Sequence, residues 1–514
     1  MRKIKVFFLN AIIMTATALL LRTVGVFFSV YVSNKIGSAG MGLYQLIMSI
    51  YRFATTLAMS GIGLTATRLV AEELARGNEI GAKSAMRRSL LYALAFGMLS
   101  FLLLAAGAKH IGTVWLRDER TVRPLYLLAV SMPCISVSVA LNGYFTAVRR
   151  VVKSACSQVL EQFLKITLCI WLLSFLMPKG LEYACIAIVG GGAAAEILSC
   201  IYQYILYLLD KRKIGKSGQT EPGMTKRLLG IALPVAFSSY LRAGLTTIEQ
   251  IMIPIGLERY GAQKERALSQ YGMIHGMVMP VILFPSAFLS AFASLLVPEV
   301  AESRARGDTN RIHYVMAAAI KVTLIFSIFI VAVFMAFSGE FGRIIYKSEE
   351  VGFYIKIFAP LIMAMYCDSV VDGMLKGLNE QLSSMRYNVV DSFVSVVLVY
   401  SLIPVIGIAG YVIVIYVSEL LNAYLSLRRL VKVSGFHLDI KNWVIKPALG
   451  AAAAMAAVRT CIHFLGGGAL SGLDLTIAIV CAALAYFILL LLLECVTRSD
   501  FKLIAGIFKK EKCA

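Results

Sequence analysis

Acidic residues, histidine and tryptophan are scarce in this chain: 29 Asp and Glu stand against 50 Lys and Arg, with 5 His and 3 Trp in 514 residues. His110, His275, His313, His437 and His463 are scattered without ligand spacing, so no histidine-built metal centre is expected. His275, inside an apolar stretch, reads as a packing residue with one hydrogen bond. HExxH, paired CxxC and GxSxG patterns are missing. Gly215-Lys216-Ser217 has the look of a phosphate-binding loop's end, but Asp210 stands where that loop needs its first glycine, and no strand precedes it. No cofactor is called for, and no loop is long enough for a catalytic domain, which argues against an integral-membrane glycosyltransferase or any other enzyme. The 10 Cys lie in apolar spans or on the basic side, so no disulfide framework is implied.

What is abundant is apolar sequence. The chain is 59% hydrophobic and only 15% charged, with mean hydropathy +0.79, a composition that belongs to polytopic membrane proteins. Runs of about 17–25 apolar residues mark spanning helices, and fourteen can be placed, from residues 7–32 to residues 473–493. The fold class is therefore all-α, with 14 transmembrane helices. The net charge of +21 is unevenly spread: Lys and Arg crowd one alternating set of loops and helix ends. This bias puts both termini in the cytoplasm and draws anionic lipid headgroups to that face, rather than signalling nucleic acid. Arg2, Lys3 and Lys5 precede an apolar run too long for a cleaved secretory signal, so residues 7–32 are read as the first span.

A duplication organises the spans. AEELARGN (71–78) matches AESRARGD (301–308) at an offset of 230, and the same offset carries Gly143 to Gly373, Ser154 to Ser384 and Glu161 to Asp391. The repeat holds six helices, so both copies enter the membrane the same way round. A site is expected where they meet. The expected organisation is an N-lobe, 1–209; a basic Gly/Ser/Pro-rich cytoplasmic linker, 210–224; a C-lobe, 225–430; and two further helices with a basic tail, 431–514.

Charged residues inside spans are costly, about 2.5–3.5 kcal/mol each, and usually line a cavity. Arg22 lies mid-span in the first helix, Arg52 in the second and Arg242 in the seventh. These are the candidate cargo ligands, since guanidinium forks hold phosphate oxygens in pairs. Glu249 shares a helical face with Arg242, two turns on. Asp368 and Asp372 are four apart on the tenth helix, with Lys376 a further turn on. The three carboxylates are candidates for Na+ or H+ coupling or gating. Asp372 with Lys376 also fits an ordinary helical ion pair. Glu161 and Lys165 have the same spacing and read as structural. Pro234, Pro254, Pro280 and Pro285 are expected to kink the seventh and eighth spans.

Four segments, SGIGLTATRLVAEELARGN (60–78), YGMIHGMVMPVILFPSAF (271–288), DGMLKGLNEQLSSMRYNVVDS (372–392) and IPVIGIAGY (403–411), resemble the stage V sporulation protein B family. That family sits in the superfamily of multidrug, oligosaccharidyl-lipid and polysaccharide exporters. LLLRTVG (19–25) is similar to the arginine-bearing first helix of the superfamily's lipid II flippases. Where those commonly carry a second arginine this chain has Phe28 and Ser29, and residues 270–280 hold none. The resemblance implies two six-helix lobes working by alternating access in a bacterial plasma membrane. It implies a polyprenyl-pyrophosphate-linked saccharide as cargo, and a C-terminal helix pair that shelters the lipid tail. The expected function is a monomeric flippase of a lipid II-like cell-wall precursor, connected with sporulation or peptidoglycan biosynthesis. An ion-coupled multidrug antiporter is the alternative.

Overall fold

The computed structural model describes residues 2–212, 215, 217–219, 223–435, 439–464 and 470–495. The basic C-terminal tail, and with it the expected C-terminal topology, lies outside the described residues. Among those described there is no strand; the chain is a succession of helices. Eleven helical segments are long and apolar enough to cross a membrane, so this is a multi-pass membrane protein. Two of the eleven are long enough to cross twice: 61 residues from Thr15 to Ala75 and 54 from Gln381 to Ser434. Both contain a break. In α1 (Arg2–Met59) it falls at Gly37, φ 71°, and in α14 (Gln381–Ser434) at Gly407, φ 60°. That backbone region penalises residues with a Cβ, which is why a glycine sits at each place where one span ends and the next begins.

The eighth predicted span is divided into α8 (Lys264–Gly272), a π-helical stretch (Met273–Val278), α9 (Met279–Leu283) and α10 (Ser286–Ala305). Pro285 occupies the gap between α9 and α10, whereas Pro234 and Pro254 lie within an uninterrupted α7 (Met224–Arg259). Backbone carbonyls near such breaks need new donors in a lipid environment. Tyr346 donates its hydroxyl to Met277 O at 3.0 Å, and Tyr366 donates to Ile282 O at 2.7 Å. With these irregular segments included, the fold is compatible with fourteen crossings.

The chain forms two compact units. The first comprises the described residues of Arg2–Phe28 and Lys35–Gly272, the second those of Ser29–Asn34 and of the chain from Met273 to Cys495. The division falls inside the eighth predicted span, not in the 210–224 linker, because α7 packs along α1 and α2 (Ile62–Ala75) within the first unit. Thr247 donates to Ser49 O at 3.3 Å, the Tyr240 hydroxyl to Ser60 Oγ at 2.7 Å, and Arg227 pairs with Glu72 and with Glu73, the latter at 3.2 Å. A Cβ on Gly61 would come within 2.7 Å of Ala232 O.

The core of the first unit is built by α2, α3 (Glu79–His110), α4 (Val122–Ala147), α6 (Leu181–Lys211) and α7; α5 (Val151–Leu176) packs on α6. In the second unit α10, α11 (Thr309–Tyr346), α12 (Glu349–Phe358), α13 (Ile362–Gly377) and α14 pack together. The last two helices, α15 (Lys446–Phe464) and α16 (Gly472–Leu492), dock on α11 through Phe329, Val333 and Phe337. Arg459 pairs with Glu340 at 2.7 Å and lies 4.4 Å from the Phe337 ring centroid.

The duplication is visible in backbone geometry. Gly77 and Gly307 have φ 74° and 69°. Asn78 caps α3 by accepting from Gly81 N, and Asp308 caps α11 by accepting from Arg311 N. The α4–α5 and α13–α14 turns carry the same set of bonds: Arg150 N to Phe145 O and Glu380 N to Leu375 O, both 2.8 Å. Arg149 and Asn379 both adopt positive φ there, 59° and 58°.

Candidate functional site

All three candidate arginines belong to the first unit. Arg22, half-buried in α1, is already engaged within the protein. One turn on, a Cβ at Gly25 would meet Gln162 of α5 at 4.0 Å, so this part of α1 runs beside α5. Arg52 is exposed and donates to Gln250 Oε1 of α7 at 2.8 Å. Arg242 is also exposed and has neither hydrogen-bond nor ion-pair partner among the described residues. The second half of α1 and α7 lie antiparallel, with Ser49 against Thr247, Phe53 against Gly244 and Ser60 against Tyr240. The structure therefore brings Arg52 and Arg242 onto neighbouring helices of one unit. Glu249 is half-buried and engaged, and both it and Arg52 lie within electrostatic reach of Tyr271 on α8.

Asp368 and Asp372 lie in the second unit, and each has its own partners. Asp368 Oδ2 accepts from Asn422 Nδ2 at 3.0 Å. Asp372 pairs with Lys376 at 2.6 Å and accepts a hydrogen bond from the Ser384 hydroxyl. That bond repeats one in the first unit, where Ser154 donates to Asn142 Oδ1 at 2.8 Å. Asp372 thus occupies the position of a neutral amide in the other copy and fastens the α13–α14 turn. Asp391, matched to Glu161 by the repeat, accepts from Ser418 at 2.6 Å.

A polar cluster in the first unit was not identified as such from sequence. Tyr51 of α1 donates to Glu196 of α6, while Ser131 of α4 donates to Leu128 O at 3.0 Å. Ser199 donates to Ser157 O at 3.3 Å, and Lys165 lies within electrostatic reach of Tyr44, Glu196, Cys169 and Glu161. Glu196 Oε2 is buried without a hydrogen-bond partner among the described residues. Spacing alone shows Glu161 and Lys165 as an ordinary i,i+4 pair. The cost of charge within a span, which singles out the arginines, applies equally to Glu161, Lys165 and Glu196 and is the signal that could have found them.

Beyond the spans, charge is neutralised locally. Burial acts to raise the Asp118 carboxyl, but the Arg120 guanidinium, at 2.7 Å and 2.9 Å, and Lys264, at 3.3 Å, hold it below the usual carboxylate value.

A family model described as "Polysaccharide biosynthesis protein" matches residues 8–298. Stage V sporulation protein B of Bacillus subtilis (strain 168) is 26% identical over 96% of this chain and 97% of its own length. The lipid II flippase MurJ of the same organism is 21% identical over 85% of each. Among solved structures, lipid II flippase MurJ in an inward closed conformation aligns with a TM-score of 0.63 at 14% identity, covering 93% of this chain and 98% of that one. An inward-facing multidrug resistance MATE family transporter of the MOP superfamily aligns with a TM-score of 0.65, also at 14% identity, covering 83% and 98%; at such identity these two likenesses concern the fold. With more than half its length matched by the family model, the chain belongs to the polysaccharide biosynthesis protein family, and it resembles stage V sporulation protein B and the lipid II flippases.

Proposed function

We propose that the chain is a flippase carrying a polyprenyl-pyrophosphate-linked saccharide, such as a cell-wall precursor, from the inner to the outer leaflet of the plasma membrane by alternating access. It makes and breaks no covalent bond and works as a monomer with both termini cytoplasmic. The observation that carries the reading is Arg242: exposed on an apolar helix, without a protein counter-charge among the described residues, and one helix from Arg52. Guanidinium groups kept available in this way suit a diphosphate, which takes two parallel N–H···O bonds from each fork. Arg22 is the third proposed ligand. In the absence of a nucleotide motif, the membrane potential or a Na+ or H+ gradient drives the cycle, with Asp368, Asp372 and Glu249 as proposed coupling or gating groups.

The test is flipping of a fluorescent lipid-linked pyrophosphate saccharide in vesicles containing the purified protein. Arg242→Ala should lower the rate at least about tenfold, the value of one lost charge-assisted contact, at unchanged expression. Arg242→Lys should recover only part, because it returns the charge without the fork. Full activity in Arg242→Ala would remove this residue from the site.

A second reading, export of organic cations, has one observation in its favour: the carboxylates and aromatics Glu161, Glu196, Tyr44 and Tyr51 gather in the first unit, with Lys165 among them as the cation that a cargo would have to replace. Gradient-dependent export of ethidium by the same vesicles, with no lipid flipping, would select it.

A further inference from the structure

Within the first unit, α1 and α7 share a bond that joins a cation to a neutral amide. Arg52 Nη2 donates to Gln250 Oε1 at 2.8 Å. A guanidinium carries donors only, so the amide must present its oxygen to Arg52 and turn its NH2 elsewhere. Arg52 is exposed and Gln250 half-buried. Apart from that bond, neither side chain has a hydrogen-bond or ion-pair partner among the described residues. Arg52 thus keeps most of its N–H groups available.

The choice of an amide is informative. Arg68, Arg76, Arg120, Arg123, Arg150 and Arg227 of the same unit each pair with a carboxylate. Inside an apolar span the pressure to pair is greater still, because an uncompensated charge is costly there. A carboxylate stands nearby: Glu249 adjoins Gln250 in sequence and, like Arg52, lies within electrostatic reach of Tyr271. Glu249 is engaged, yet it takes none of the Arg52 donors. It offsets part of the charge through space, but the bond that aims the guanidinium is neutral. A neutral acceptor holds a guanidinium more weakly than an anion does. A phosphate oxygen arriving at Arg52 would displace the amide, whereas it would gain little by displacing a carboxylate.

We propose that Gln250 is a positioning residue for the anionic headgroup of the cargo: it holds the Arg52 guanidinium on α7 without neutralising it, and releases it to the phosphate oxygens. The inference rests on the flippase reading and deepens it at one ligand, Arg52.

The test is the vesicle assay with fluorescent lipid-linked pyrophosphate saccharide, run over a range of lipid concentrations so that KM and kcat separate. Gln250→Glu should raise KM at least about tenfold, as should Arg52→Ala, while the thermal stability of the purified Gln250→Glu protein stays level or rises. That split sets Gln250 apart from a structural residue, whose replacement would lower stability and activity together. Gln250→Leu, which frees Arg52 but leaves its charge, should raise KM by only about threefold. In an Arg52→Ala background, Gln250→Leu should add nothing, because the residue acts through the arginine. KM effects of Gln250→Leu and Arg52→Ala that multiply in full would overturn the proposal. So would a larger defect in Gln250→Leu than in Gln250→Glu, which would mark the amide as a packing residue. Flipping by the wild type with a normal KM in Gln250→Glu would overturn this inference alone. Absence of flipping by the wild type would overturn it together with the flippase reading.

Discussion

The two units answer the same problem, carboxylates inside apolar helices, with different chemistry. In the first, Glu161 of α5 and Glu196 of α6 share their surroundings with Lys165, a cation from the same helix as Glu161. In the second, the repeat puts Asp391 at the place of Glu161, but Ser395 at the place of Lys165. Asp391 and Asp368 take hydrogen bonds from Ser418 and Asn422, both neutral. The first unit thus sets a cation within electrostatic reach of its buried carboxylates, and the second has a serine at the matching position.

The largest expected effect comes from removing that cation. Lys165→Met should destabilise the protein by about 1–3 kcal/mol, because it leaves two buried carboxylates without a nearby cation. Ser395→Ala, at the matching position, should cost about 1 kcal/mol or less. Thermal unfolding of the purified protein, followed by tryptophan-independent dye labelling of buried cysteines such as Cys169, measures both. Adding Glu196→Gln to Lys165→Met should recover part of the loss. Equal melting of the two single variants would end the proposed contrast.

A middle-sized effect comes from the duplicated turn. Ser154→Ala removes a bond to the neutral Asn142, worth about 0.5–1.5 kcal/mol, whereas Ser384→Ala removes one to ionised Asp372, worth about 1.5–3 kcal/mol. Asp372→Asn rebuilds in the second unit the arrangement that the first already uses. If Asp372 is purely a turn residue, that variant should lose only its Lys376 pairing, within about 1 kcal/mol, and should flip lipid at the wild-type rate. Loss of gradient dependence with stability intact would instead assign Asp372 to coupling. Asp368→Asn run in parallel separates the two aspartates.

These contrasts also mark how far the sequence can be read. The spans, the six-helix repeat and the additional helix pair follow from hydropathy and from a turn motif recurring at one offset, both local or periodic properties. Gly37 and Gly407 punctuate spans that otherwise merge, and hydropathy alone separates them because the interruption is conformational as well as compositional. What escaped was tertiary. Tyr51 and Glu196 are far apart in the chain, and no periodicity links them; Glu161 and Lys165 show each other on the helix but not Tyr44 or Glu196. The association of α7 with α1 was equally hidden, since an apolar helix carries no label for which neighbour its Tyr240 and Thr247 will find. Asp372 was legible as a partner of Lys376, whereas its bond to Ser384 needed the turn geometry.

The smallest effect concerns the paired caps at the starts of α3 and α11. Asn78 and Asp308 both accept a backbone N–H from the first helical turn, at 2.9 Å and 3.0 Å, so either alanine variant should cost about 1 kcal/mol. Their surroundings differ. Asn78 also uses its amide, donating from Nδ2 to Glu73 Oε2 at 2.8 Å, and Glu73 is fully buried. A carboxylate cannot make that donation. Asn78→Asp would keep the cap but set two anions against each other beside a buried side chain, so it should cost more than the cap itself is worth. Asp308→Asn keeps the cap and gives up only the attraction between an anion and the helix N-terminus, about 0.3–1 kcal/mol. Salt should shrink the Asp308→Asn effect, which is exposed, and leave that of Asn78→Asp nearly unchanged, because burial limits screening. Denaturation midpoints at low and high salt give the comparison directly. Equal penalties with equal salt dependence would mean that the caps are interchangeable and that Glu73 does not distinguish the two copies.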